Sequence, residues 1–140
     1  MIRKASAVWR GSLKEGNGTV STGSGVLKDI PYSFKTRFEE KPGTNPEELV
    51  AAGHAGCFSM ALSLELSKEG LTPEQIETES HLTFENIQTG WTVTRIHLET
   101  AASVPGASSA QLEKAAKSAK ENCPISRLLN AKITMEARLV

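Results

Sequence analysis

Hydrophobic and polar positions alternate with period two toward both ends of this chain and recur every three or four residues in its middle. Ala5, Ala7 and Trp9 fall on one side of residues 4–10, the pattern of a half-buried strand. Glu15 to Gly18 reads as a turn, with Asn17-Gly18 a strong hairpin signal, and Thr19 to Thr22 as a short second strand. Gly23-Ser24-Gly25 turns the chain again. After Pro31, the run Tyr32 to Phe38 places Tyr32, Phe34 and Phe38 on one strand face and Lys35 and Arg37 on the other. The first 44 residues therefore predict an antiparallel meander.

From Thr44 to Gly70 the period changes. Asn45 suits an N-cap, Pro46 the first helical position, and Glu48 the acid of a capping box. Lys68, Gly70 and Pro73 mark the other end. About 24 residues at roughly 1.5 Å each make a rod of about 36 Å. That is long for so short a chain, so this helix is expected to be the central axis of the core. Leu49, Gly53, Gly56, Cys57, Met60 and Leu64 recur at helical spacing along it. Each interior glycine costs about 1 kcal/mol against alanine. Two explanations stay open: close approach of another backbone or a pocket, or tight packing of helix on sheet.

Downstream, Leu82 and Phe84 are in phase, and 91–104 switches from odd to even apolar positions near Thr94-Arg95, which predicts a β-bulge. Ser108 and Gln111 start a second helix with Leu112, Ala115, Ala116 and Ala119 inward and Lys114, Lys117 and Lys120 outward. Cys123 extends the inward face, just before a short turn beginning at Pro124. Ile133, Met135, Ala137 and Leu139 alternate in a closing strand. The sum is a single α+β domain over 1–140, an antiparallel sheet packed on a long central helix.

Charge narrows the function. Sixteen basic residues cancel sixteen acidic ones, so no strong field favours nucleic acid or an anionic membrane. The start leads into no apolar run of a secretory signal, and no segment is expected to approach a membrane span. A cytoplasmic location is the default.

The two cysteines are then the oddity, and in a reducing cytosol a permanent disulfide is not expected. Inert packed thiols, metal ligands and a redox pair remain open. His54, three residues before Cys57, could meet it and lower its pKa, although a helical histidine is more often a packed or surface residue. Zinc takes about four ligands, and two cysteines with three histidines and no Cys-x-x-Cys support that poorly. The missing Cys-x-x-Cys also disfavours a thioredoxin-type exchange enzyme. Cys123 at a helix start would feel exposed N–H groups that favour thiolate; otherwise it is a small residue before a proline.

The segments GNGTVSTGSGVL, FKTRFE, GTNPEELVAAGHAGCFSMALS and NCPISRLLNAKIT resemble, in order and spacing, the OsmC branch of the OsmC/Ohr thiol-dependent hydroperoxide reductases. The resemblance covers essentially the whole chain. It implies that Cys57 is the peroxidatic thiolate and Cys123 its resolving partner through a disulfide. Arg37 would stabilise the thiolate and polarise the peroxide, and Glu47 would orient Arg37. It further implies an organic hydroperoxide substrate, weaker action on hydrogen peroxide, no cofactor beyond an external thiol or lipoyl-type reductant, a role in oxidative and osmotic stress defence, and an intertwined homodimer.

Glu47 lies ten helical residues from Cys57, about 15 Å along the axis, too far for one Arg37 to bridge easily. A second subunit or a kink at Gly53 or Gly56 would remove the difficulty. A non-enzymatic binding or scaffold protein with structural cysteines and a Cys/His metal protein are the other readings.

Overall fold

In the computed structural model, which describes all 140 residues, period-two alternation at the start becomes three antiparallel strands: β1 (Ala5–Arg10), β2 (Asn17–Thr22) and β3 (Ile30–Ser33), in the order β1-β2-β3. Asn17-Gly18 belongs to β2 and not to the turn, which a Ser12 carbonyl closes onto the Gly16 N–H at 2.8 Å. The reason is packing. Gly18 pairs with Trp9 on one side and Tyr32 on the other, and the two rings sit 5.3 Å apart at 49°. A Cβ at Gly18 would come within 2.8 Å of the Trp9 ring and 2.7 Å of the Tyr32 ring. The glycine is there for close aromatic approach.

The strand expected through Phe38 is also corrected. After Ser33 the chain enters a short helix, α1 (Phe34–Phe38), because Ser33 and Thr36 form a reciprocal capping box. Phe34 and Phe38 do share a face, but by the i,i+4 rule of a helix, with ring centroids 4.7 Å apart.

The long helix, α2, runs uninterrupted from Pro46 to Lys68 through Gly53 and Gly56. The Asn45 side chain accepts from the Glu48 N–H at 2.8 Å as N-cap. Gly70, at φ +73°, ends it in a Schellman motif, with Leu71 N–H on the Leu66 carbonyl and Gly70 N–H on that of Ser67. The buried face is His54, Phe58, Leu62 and Leu66. It is not the face read from the spacing: Met60 is 77% and Leu64 58% exposed, and a Cβ at Gly53 or Gly56 would meet nothing within 4 Å. Apolar residues line α2 nearly all round, so periodicity could not choose between faces. Over an 18-residue window its mean hydropathy of 1.4 also meets the length and composition of a membrane-crossing helix, contrary to expectation.

The chain divides into two compact units, Met1–Leu49 and Val50–Val140. The second holds the hydrophobic core, where α2 packs with β5 (Gly90–Ser103) and α3 (Ser109–Asn122) through Phe58, Leu62, Leu66, Ile96, Leu98, Leu112, Ala116 and Ala119. Its sheet is ordered β4-β5-β6, with β4 at Gln75–Ile87 and β6 at Lys132–Leu139. The β4–β5 pair is antiparallel and skips Thr94, which is the expected bulge: Thr83 faces Arg95 and Phe84 faces Val93. β6, however, runs parallel to β5, so the sheet is mixed and not antiparallel throughout. The connection through α3 and α4 (Pro124–Leu128) carries the chain back to begin β6 alongside β5 in the same sense.

Candidate active site

In the first unit, the turn of α1 and the cap of α2 are tied together by Asn45, whose Nδ2 donates to the Thr36 carbonyl at 3.4 Å. That join sets Arg37 on α1 against Glu47 in the first turn of α2. Arg37 donates from Nη2 to Oε1 at 2.6 Å and from Nε to both carboxylate oxygens at 3.1 and 3.2 Å. Glu48 supplies the capped N–H, and its neighbour Glu47 turns toward the arginine. The Arg37 guanidinium also lies 5.3 Å from the Phe38 ring centre. Trp9, Leu13, Tyr32, Phe34, Phe38 and Arg37 border a mostly apolar cavity of about 240 Å³.

In the second unit, Cys57 on α2 and Cys123, the N-cap of α4, face each other as free thiols, Sγ to Sγ 2.9 Å, with Cys123 donating. A disulfide at about 2.0 Å needs roughly 0.9 Å more approach. Cys57 is partly open and Cys123 is buried, so a small oxidant meets Cys57 first. Burial pushes the Cys57 thiol above its ordinary value, and Cys123 adds to this; the Ile125 N–H bonds to it and pulls the other way. The inward face of α3 and Pro124 at the first position of α4 deliver Cys123 to this place, as the spacing from Ala119 indicated.

The structure thus brings the four anticipated residues together as two pairs, Arg37 with Glu47 and Cys57 with Cys123, one pair in each unit. His54 does not bond Cys57; its Nε2 meets Ser126 Oγ at 2.8 Å, and burial lowers its pKa. Ser126 was missed, having no signal beyond being a small polar residue one helical turn after Cys123. Phe58, the residue after Cys57, is fully buried in the core. Metal-donor groups cluster away from the cysteines: Glu79, His81 and Glu99, and His97, Glu99 and Glu136, bring ligand atoms within 4.8 Å on the outer face of the sheet. Neither cluster includes Cys57 or Cys123.

Residues 38–138 match the family model described as OsmC-like protein. The chain is 46% identical over 137 residues to the Peroxiredoxin OsmC of Escherichia coli strain K12, covering 98% of this chain and 96% of that one. It is 31% identical over 98 residues to an organic hydroperoxide resistance protein of Xanthomonas axonopodis pv. citri, covering 69% of this chain and 67% of that one. Among solved structures, an OsmC-like protein of unknown function from Vibrio cholerae superposes with a TM-score of 0.79 at 20% identity over 99% of both chains, a likeness of fold.

Proposed function

The chain belongs to the OsmC-like protein family, and from that premise we infer that it is a thiol-dependent peroxidase reducing organic hydroperoxides to alcohols, and hydrogen peroxide more weakly. One observation carries the inference to chemistry: a partly open thiol and a buried thiol lie 2.9 Å apart in a chain of that family. In the proposed cycle, the Cys57 thiolate attacks the distal peroxide oxygen. The O–O bond breaks, the alkoxide leaves and takes a proton as alcohol, and Cys57 becomes a sulfenic acid. Cys123 loses its proton and attacks that sulfur. The S–O bond breaks, water leaves, and a disulfide forms. An external thiol or lipoyl-type dithiol restores both thiols by exchange, so the cycle needs no bound cofactor. The setting is cytoplasmic defence against oxidative and osmotic stress.

Arg37 is assigned to the thiolate and the peroxide, and Glu47 to aiming Arg37. The cavity beside Arg37, walled by Trp9, Tyr32, Phe34 and Phe38, suits the alkyl group. The proposed assembly is a twofold homodimer in which Arg37 and Glu47 of one copy serve Cys57 of the other. One observation supports it. Val50, Met60 and Leu64 leave an apolar stripe on α2, continued by the open faces of Gly53 and Gly56. A helix apolar all round is normally covered on both sides. A second copy supplies that cover.

Titrating free thiols before and after one equivalent of cumene hydroperoxide tests the chemistry. Loss of both thiols per chain is expected, whereas a scaffold with structural cysteines would lose none. Cys57→Ser should abolish turnover, and Cys123→Ser should allow one oxidation and stop recycling. Mixing inactive Arg37→Met and Cys57→Ser proteins tests the assembly. Exchange of subunits creates one intact site per mixed dimer and restores activity if Arg37 acts across the twofold. A mixture that exchanges subunits and stays inactive places Arg37 and Cys57 in the same copy.

A further inference from the structure

His54 and Ser126 form a buried polar pair for which the peroxide chemistry above has no use. His54 is 0% and Ser126 8% exposed, and they are joined at 2.8 Å. The arrangement is costly. Nδ1 of His54 is buried with no partner, and an unmatched buried polar atom opposes folding where an apolar side chain would pack freely. The single bond that His54 does make is therefore the feature to explain.

Its place in the fold gives the explanation. His54 lies one helical turn before Cys57 on α2, and Ser126 one turn after Cys123 on α4. The bond joins the same two elements as the thiol pair, about a turn away. α4 has five residues and its N-cap, Cys123, makes no side-chain capping bond; so short a helix has little stability of its own. The Ile125 N–H and the Cys123 thiol reach Cys57 only while α4 is held against α2. Both of those contacts end on the Cys57 sulfur, whose charge and size change when it is oxidised. The His54–Ser126 bond does not involve that sulfur.

Resting on the peroxidase reading above, we propose that His54 is a positioning residue for the resolving step, its hydrogen bond to Ser126 holding α4, and with it Cys123, within reach of Cys57 while Cys57 is a sulfenic acid. The step itself is the one already balanced: Cys123 sulfur displaces the sulfenic oxygen, which leaves as water.

The test separates the first oxidation from resolution in single-turnover experiments on the full-length protein. The first is followed as sulfenic acid trapped by a dimedone probe, the second as disulfide. His54→Leu should leave the first oxidation within about twofold and slow disulfide formation about five- to tenfold, the loss of one buried hydrogen bond. Trapped sulfenic acid and overoxidation to sulfinic acid should rise in step. His54→Gln, whose amide nitrogen can reach the position of Nε2, should restore resolution, which general loosening of the fold would not allow. Ser126→Ala should reproduce the delay, and the double variant should be no slower than either single one.

Wild-type resolution in folded His54→Leu or Ser126→Ala overturns the proposal, as does a delay equal in His54→Gln and His54→Leu. Should His54→Leu fail to fold, Ser126→Ala decides alone. A wild-type protein that loses no thiols to hydroperoxide would overturn the peroxidase assignment and this proposal with it, a result distinct from normal first oxidation with unaltered resolution.

Discussion

Replacing Glu47 with Gln separates the aim of Arg37 from its charge. The carboxylate holds the guanidinium through contacts of 2.6, 3.1 and 3.2 Å, with the Glu47 side chain 14% and that of Arg37 35% exposed. A hydrogen bond to a charged group contributes about 1.5–3 kcal/mol and a neutral one about 0.5–1.5. Gln keeps an acceptor but loses the charge and the fork. Partial exposure of the arginine discounts the difference to about 1 kcal/mol, the upper end for solvent-screened pairs. If Arg37 must be held in one orientation to polarise the peroxide, that loss corresponds to roughly a fivefold slower oxidation of Cys57.

The sign makes the test decisive. Under the proposed role of Arg37, charge alone works in the opposite direction, because an arginine freed of its carboxylate would favour the Cys57 thiolate more strongly. The assay is stopped-flow oxidation of fully reduced protein by an organic hydroperoxide, with the thiol titrated through thiolate absorbance. The expected outcome is a slower reaction at an unchanged or lower thiol pKa. A rate unchanged or raised in folded Glu47→Gln would refute the orienting role of Glu47.

Leu64→Glu puts a charge on the exposed stripe of α2, where the side chain is 58% exposed and contributes little to the chain's own core; light scattering should show monomer, with slower Cys57 oxidation and a higher thiol pKa. A stable dimer in that variant would count against the proposed interface. Burial holds the His54 pKa below its ordinary 6.5, so the unfolded chain binds a proton that the folded chain refuses. Its contribution to stability is therefore complete above 6.5 and lost as pH falls through the lowered value; denaturant titrations on either side of 6.5 should show the slope, and His54→Gln should remove it. Leu62, fully buried in the core, should lose about 2–5 kcal/mol of stability on substitution by alanine, read from the same titrations. A loss under 1 kcal/mol would mean that the site collapses around the cavity.

Local chemistry was legible in the sequence wherever neighbouring residues decide it. Asn45, Pro46 and Gly70 bounded α2, Ser108 and Gln111 opened α3, and the phase change at Thr94 marked the bulge, because caps and period-two registers are settled within a few residues. The four anticipated site residues could be named because their segments carry a family pattern.

What needed tertiary structure was each choice between partners distant in the chain. The packed face of α2 went to His54, Phe58, Leu62 and Leu66, since a helix apolar on most sides has no preferred face until a sheet and α3 cover one. Gly18 left its expected turn because Trp9 and Tyr32 close over it from the strands on both sides. β6 proved parallel because direction depends on where the crossover through α3 and α4 returns the chain, which alternation along one strand does not encode. The bond from His54 to Ser126, which spans 72 positions of the chain, belongs to the same class: spacing within a segment shows which residues share a face, and only folding shows what that face meets.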